Sequence, residues 1–66
     1  MQIYDFVEPE LDRCRELCNF SDDERRYFEL RARHKSNIEI SFDMNISDSQ
    51  VSKLSRKVRA KIAKII

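Results

Sequence analysis

The sequence predicts an all-α fold, a small four-helix domain formed by all 66 residues. Helix breakers are rare, because the chain contains no Gly and only one Pro. Serines that can cap helix N-termini recur at Ser21, Ser36 and Ser47. Apolar residues mostly follow these serines at the spacing of a helical face. A hydrophobic content of 41% further favours a folded chain over a disordered one.

The first helix is predicted over residues 9 to 19. Pro9 suits an early helical position, because the first N–H groups of a helix have no partner inside it. The residues that share the apolar face of this helix are Leu11, Cys14, Leu17 and Cys18. Residues 1 to 7 mix apolar and polar types without a clear period, so their structure stays open.

The two cysteines of this helix are interpreted as small buried apolar side chains. Four residues apart on one helix, their side chains run parallel, which disfavours a disulfide. A zinc site would need two further ligands, and the only histidine, His34, lies in a predicted loop. We therefore expect no metal and no cofactor.

The second helix is predicted over residues 21 to 33. Ser21 is its N-cap, and Glu24, three residues later, completes a capping box. Its inner face is predicted to contain Tyr27, Phe28 and Leu30. Its outer side is basic, with Arg25, Arg26, Arg33 and, just beyond it, Lys35.

The third helix, residues 36 to 43, has the least obvious pattern. Ile38, Ile40, Phe42 and Met44 alternate as they would in a strand. The capping box of Ser36 and the next cap at Ser47 leave room for only two helical turns and a corner, which favours a helix. Asn45 is expected at this corner with a positive φ, because Asn tolerates that conformation in a chain without Gly.

The fourth helix is predicted over residues 47 to 64, with Ser47 as its cap and Asp48 at the positive end of the helix dipole. Its buried stripe is predicted to be Val51, Leu54, Val58, Ile62 and Ile65. The segment 47–66 carries six bases and one acid, a net charge of +5. The bases lie on the other faces of the helix and are Lys53, Arg56, Lys57, Arg59, Lys61 and Lys64.

These faces together predict the hydrophobic core. Its expected members are Leu11, Leu17, Phe20, Phe28, Leu30, Ile40, Met44, Ile46, Val51, Leu54, Val58 and Ile62. The first helix is expected to cover the back of the second and fourth helices, on the side away from the basic surface. Its acids would then face solvent, where they could serve a partner.

A short helix, a tight turn and a capped basic helix form the layout of a helix-turn-helix. Residues 20 to 62 resemble the helix-turn-helix of region four of bacterial sigma factors, without gaps and over 43 of the 66 residues. The LuxR-type response regulators are a close second, but their pattern has its apolar residue at the position of Ser55, whereas this chain has Leu54. The matching residues are Phe20, Ser21, Glu24, Arg25, Arg26, Tyr27, Phe28, Glu29, Leu30, Ala32, Ser36, Glu39, Ile40, Met44, Ile46, Ser47, Val51, Lys61 and Ile62.

The resemblance implies sequence-specific DNA binding in transcription regulation, as in a small bacterial or phage regulator. It makes 21–62 the sigma-like unit, 47–64 its recognition helix and 9–19 an acidic support helix. It also implies that Arg25 braces the domain by pairing with Glu39. The chain departs from the family at His34 and Asn45, where Gly is usual, and at Asp48 and Ser49, where sigma factors carry arginines.

Helix geometry assigns roles on this surface. Residues in the first turns of the last helix, outside its apolar stripe, could touch base edges. These base-reading candidates are Asp48, Ser49, Ser52, Lys53 and Arg56. Cations further along, and near the end of the second helix, could contact phosphates and fix the register. These phosphate candidates are Arg33, Lys35, Lys57, Lys61 and Lys64.

The overall charge of +1 conceals an asymmetry, since residues 1–24 have a net charge of −6 and residues 25–66 one of +7. The expected partners are double-stranded DNA and either RNA polymerase or a second copy as a homodimer. The alternative is a protein-interaction module that contacts polymerase or another partner without reading bases. No residue constellation suggests catalysis. Without a membrane span or a signal peptide, a cytoplasmic location is expected.

Overall fold

The computed structural model describes residues 3 to 65, apart from the side chain of Tyr4. A short 3₁₀-helix, Ile3–Asp5, precedes four α-helices. Over the described residues there is no strand, so the prediction of a small all-α domain with four helices is confirmed. The helices are α1 (Glu8–Leu17), α2 (Asp22–Ala32), α3 (Asn37–Met44) and α4 (Asp48–Ala63).

The three serine caps form as predicted. Ser21 Oγ accepts a hydrogen bond from the Glu24 backbone N–H at 3.3 Å, and Glu24 Oε1 accepts one from the Ser21 N–H at 2.9 Å. These reciprocal bonds satisfy N–H groups that a helix start leaves without partners. The same arrangement joins Ser36 with Glu39 and Ser47 with Gln50.

The connections rely on three residues in the left-handed region. Asn19, His34 and Asn45 have φ values of 52°, 67° and 55°, and each follows the end of a helix. Glycine usually fills such positions because it has no Cβ, but this chain has none. The predicted positive φ of Asn45 is confirmed, and only Asn45, Ile46 and Ser47 separate α3 from α4.

The core lies where α2 crosses α3 and α4. Phe20 and Phe28 stack there with their ring centroids 5.1 Å apart. Tyr27 is fully buried, and its hydroxyl donates to Asn37 Oδ1 at 3.2 Å, which joins α2 to the start of α3. The buried apolar residues are Ile3, Leu11, Cys14, Cys18, Phe20, Tyr27, Phe28, Ile40, Val51, Val58 and Ile62.

Most of the predicted core is confirmed as buried, but Leu17 is 53% exposed and was assigned wrongly. The buried face of α1 follows Leu11, Cys14 and Cys18, and Leu17 lies about 100° around the helix from Cys18. Four predicted members pack against the core while only partly buried, and these are Leu30, Met44, Ile46 and Leu54.

The alternating apolar residues of α3 lie on two different faces of the helix. Ile40 is fully buried and Met44 partly buried, whereas Ile38 is 64% and Phe42 80% exposed. A helix places residues four apart on the same side, so the two exposed residues form one apolar patch. The helical prediction is therefore confirmed, with an outer surface that is unusually apolar.

Helix α1 lies against α2 and ends beside the second half of α4. Arg15 donates from Nε and Nη2 to the two carboxylate oxygens of Glu29 at 2.7 and 3.0 Å, which ties α1 to the middle of α2. Lys61 Nζ donates to the Asn19 carbonyl at 3.2 Å, just beyond the end of α1. The described contacts thus place α1 away from the first turns of α4.

Candidate functional site

The outward side of α4 brings the base-reading candidates together. Val51 and Val58 face the core, so the residues on the other side of the helix are open to solvent. All five candidates lie in the first three turns and are exposed, namely Asp48, Ser49, Ser52, Lys53 and Arg56. These five polar and charged side chains therefore lie together on the solvent-facing side of α4.

The phosphate candidates do not share one surface. Lys57 is exposed on α4, and Lys64 is exposed just past its end. Arg33 lies on the flank of α2 that carries Glu29, where its charge helps to lower the pKa of that carboxyl. Lys35 is partly buried, with its Nζ 3.8 Å from Glu39 Oε2. The exposed cations of α4 are therefore the best placed of this set.

Lys61 forms an ion pair that the sequence did not suggest. Its Nζ donates to Glu24 Oε1 at 2.5 Å and to the Asn19 carbonyl at 3.2 Å, while 35% of its side chain is exposed. Two of the three donors of this ammonium are thereby occupied, which makes Lys61 a weaker phosphate candidate than the exposed lysines. We therefore assign Lys61 to a structural ion pair between α2 and α4, and its contact with a phosphate stays a prediction.

Glu24 is the buried partner of this pair. Only 7% of its side chain is exposed, although it carries a charge. The hydrogen bond from Lys61, followed by the one from the Ser21 backbone, lowers the pKa of Glu24. The sequence predicted its capping role, but its partner is 37 residues away and no local pattern indicates it.

The brace between Arg25 and Glu39 that the resemblance implied is not the contact that forms. Glu39 accepts from the Ser36 backbone N–H at 3.2 Å and pairs with Lys35 instead. Arg25 is exposed, and its charge helps to lower the pKa of Glu29, whose main partner is Arg15. The interhelical bracing is thus performed by two other ion pairs, Arg15 with Glu29 and Lys61 with Glu24.

A shallow groove lies between the start of α2 and the first half of α4. Ile46 and Leu54, both partly buried, give it an apolar floor. Exposed Lys53 and Lys57 stand on its rim, together with Asp23 from the first turn of α2. The groove therefore combines apolar surface with a net positive rim, directly beside the polar surface of α4.

The two cysteines are buried and free, as the sequence analysis expected. Burial raises the pKa of Cys14 to about 11 and also raises that of Cys18. Because the thiolate is the reactive form, both groups are poor nucleophiles at neutral pH. Within residues 3–65 no group of three or more His, Cys, Asp or Glu side chains is arranged to hold a metal ion.

Comparisons with known proteins give no match, whether to a protein-family model, to a curated protein or to a solved structure. Among the described residues, no helix is both long and apolar enough to cross a membrane.

Proposed function

We propose that this protein binds double-stranded DNA sequence-specifically in transcription regulation, through a sigma-like helix-turn-helix made of α3 and α4. The observation that carries the proposal is the outward side of α4, where polar and basic side chains are exposed together. In this motif the N-terminal part of the second helix enters the major groove and touches base edges. The exposed residues from Asp48 to Arg56 occupy that part of α4.

The connection between the two helices supports the same function. A helix-turn-helix joins its helices through a turn of about three or four residues. Here α3 ends at Met44 and α4 begins at Asp48, with Asn45 in the left-handed conformation between them. This turn fixes the direction of α4 relative to α3, which a recognition helix requires.

The chemistry of the exposed surface suggests how bases would be read. Lys53 and Arg56 can donate to the O6 and N7 acceptors of guanine in the major groove. Asp48 and Ser49 can accept from the amino groups of cytosine or adenine. Because Asp48 and Ser49 replace the arginines of sigma factors, we expect a target that differs from a standard promoter element.

Phosphate contacts would come from Lys57 and Lys64, without Lys61. Lys53 and Arg56 are assigned to base edges, which leaves two cations for phosphates. Each neutralised phosphate contributes about −0.9 to the slope of log affinity against log salt, so a slope of roughly −2 is expected. Such a small footprint needs a polymerase partner or a second copy on DNA to reach useful specificity.

The first test is a titration of fluorescently labelled random duplex DNA at two salt concentrations, read by anisotropy. Binding should be measurable at low salt and should weaken with salt at the slope given above. The double variant Lys57→Ala, Lys64→Ala should lower affinity similarly on all sequences. Arg13→Ala is a matched control for loss of an exposed cation, since Arg13 is exposed on α1, and should leave affinity unchanged.

A second test concerns sequence reading. Ser52→Ala or Lys53→Ala should change which duplexes a random pool yields on selection, because these side chains lie in the base-reading part of α4. Lys57→Ala should weaken binding while it selects the same sequences as the wild type. An identical selected sequence for all variants would contradict the roles assigned on α4.

A protein-interaction module on the same fold is the second candidate. The exposed apolar pair Ile38 and Phe42 favours it, because exposed apolar patches often mark protein contacts. RNA polymerase or another protein would then bind the chain without base reading. Failure of every duplex to bind at low salt would reject DNA binding and leave this candidate.

A further inference from the structure

We propose that the chain self-associates head to tail, with Phe42 of one copy inserted into the α2–α4 groove of the next. The groove is the one lined by Asp23, Ile46, Gln50, Lys53, Leu54 and Lys57. This proposal does not require that the chain binds DNA. The proposed contact uses two surfaces of the same chain, an exposed apolar patch and a groove with an apolar floor.

The inserted element is the outer surface of α3. Phe42 is 80% exposed, whereas the other three phenylalanines are buried or partly buried. Ile38, one helical turn earlier, extends the same apolar patch. An exposed phenylalanine at the centre of a patch is the kind of side chain that dominates a small interface when a pocket receives it.

The receiving element is the groove beside α4. Its floor, Ile46 and Leu54, is apolar and only partly buried, so a ring placed there would remove apolar surface of both copies from water. The groove lies between α2 and α4, whereas Phe42 projects from the outer face of α3. Phe42 is not among the residues that line the groove of its own copy, so a ring in the groove would come from a second copy.

Charge complementarity selects a second copy as the occupant. Asp43 follows Phe42 and is exposed, and Lys53 and Lys57 stand on the rim of the groove. In the head-to-tail arrangement Asp43 would approach the two lysines, which together outweigh Asp23 on the same rim. A symmetric contact between two α3 patches would instead place Asp43 of one copy near Asp43 of the other. Repulsion between these like charges is unfavourable.

The arrangement has a consequence for the proposed DNA surface. Lys53 and Lys57 would be covered by the neighbouring copy, so self-association and DNA binding should compete. This consequence rests on the proposed function, whereas the self-association itself does not. A head-to-tail contact also leaves one Phe42 and one groove open at the two ends, so it can add further copies.

The test is sedimentation velocity on the full chain without DNA. The contact is small, so concentrations on the order of 0.1 to 1 mM are appropriate. The weight-average mass should rise with concentration above the monomer mass of 8.0 kDa. Phe42→Ala should weaken association by about tenfold or more. Its circular dichroism should match that of the wild type, because the side chain is exposed.

Leu17→Ala provides the matched control. Leu17 is also an exposed apolar residue on a helix, but it lies on α1 and outside both surfaces of the proposed contact. This variant should associate like the wild type. A constant monomer mass for the wild type, or equal association for the wild type and Phe42→Ala, would overturn the proposal.

A mixing experiment tests the head-to-tail geometry. Phe42→Ala lacks the inserted ring, and Lys57→Glu places an acid opposite Asp43 in the groove, so each variant alone should remain close to monomeric. Their equimolar mixture retains one intact ring and one intact groove and should form a dimer of about 16 kDa, twice the monomer mass. A mixture that stays monomeric would overturn this geometry.

Addition of duplex DNA separates this proposal from the proposed function. If DNA binds through α4, wild-type oligomers should dissociate as duplex is added. Oligomers that persist with DNA bound would refute the competition. If no duplex binds, the proposed function fails, while the mass measurements without DNA still decide whether the copies associate.

Discussion

Helices α1 and α4 carry dense charges of opposite sign but use them differently. On α1, Arg15 binds Glu29 of α2 through both carboxylate oxygens and also donates to Asp12 at 2.7 Å. Arg15 is therefore engaged within the fold, while Glu8, Asp12 and Glu16 of the same helix are exposed. On α4, Lys53 and Lys57 are exposed. A count of charges identifies a charged helix, whereas the contacts of its side chains determine whether those charges are available to a binding partner.

The same distinction applies within α4. Lys57 and Lys61 are one helical turn apart, yet Lys61 is held by Glu24 and Asn19 whereas Lys57 is exposed. Helix α2 lies over the side of α4 that carries Lys61, so this side stabilises the domain. The outward side of α4 stays open to solvent.

The largest expected effect is a loss of stability when the buried face of α4 is changed. Val51 is buried between α4 and the rest of the core, and Val51→Asp would place an unpaired charge there. This costs several kcal/mol, against a total stability of roughly 3 to 10 kcal/mol for a domain of this size. Circular dichroism should show an unfolded chain at 25 °C. A cooperative thermal transition like that of the wild type would contradict the assigned core.

A smaller effect is expected from the ion pair between α2 and α4. Glu24→Ala removes the acceptor for both Lys61 and the Ser21 N–H, and should cost about 2 to 3 kcal/mol in urea denaturation. Glu24→Gln retains an acceptor without the charge and should cost less. Lys57→Ala, at an exposed position of the same helix, should change stability by less than about 0.5 kcal/mol. Equal losses of stability for Glu24→Ala and Lys57→Ala would contradict the different roles assigned to the two sides of α4.

The ion pairs also predict a dependence of stability on pH. The pKa values of Glu24 and Glu29 are lowered in the folded protein, mainly by hydrogen bonds from Lys61 and Arg15. The resulting stabilisation is complete above the unfolded pKa of about 4.5 and is lost as the pH falls through the lower folded values. The thermal midpoint should therefore be flat near neutral pH and should fall below about pH 4.5.

Glu24→Gln provides the control for this pH dependence. It removes one of the two carboxyls, so its midpoint should fall less steeply with acid than that of the wild type. A wild type whose midpoint rises on acidification would contradict the assignment of these carboxyls.

The smallest effect concerns the reactivity of the thiols. Burial and the raised pKa values of Cys14 and Cys18 should make both slow to react with a thiol reagent at pH 8. In denaturant both should react at the rate of free cysteine. Rapid labelling of the folded protein would show that α1 does not stay packed against the core.

The features that the sequence predicted best are those set by neighbouring residues. Ser21 and Ser36 each have their capping partner three residues away. The positive φ of Asn45 could be predicted from the absence of Gly and from the next cap at Ser47. A helix start or a tight turn is a local choice, so the sequence contains the necessary information.

The features that the sequence missed depend on distant packing. Lys61 and Glu24 are 37 residues apart, and the exposure of Leu17 follows from how α1 lies on the core. Ile3 is buried, but it lies in a 3₁₀-helix of three residues, which is too short to show a periodic pattern in the sequence. The exposure of the base-reading candidates could therefore be predicted from the sequence, whereas the ion pair that engages Lys61 could not.

A comparison of Lys57→Ala with Lys61→Ala shows whether the exposed cations of α4 bind DNA while Lys61 stabilises the fold. Each variant is titrated with random duplex DNA at low salt and denatured with urea. We predict that Lys57→Ala loses DNA affinity and keeps its stability, while Lys61→Ala loses stability and keeps the affinity of its folded fraction. Lys61→Ala with wild-type stability and reduced affinity, or Lys57→Ala with unchanged affinity, would contradict the account.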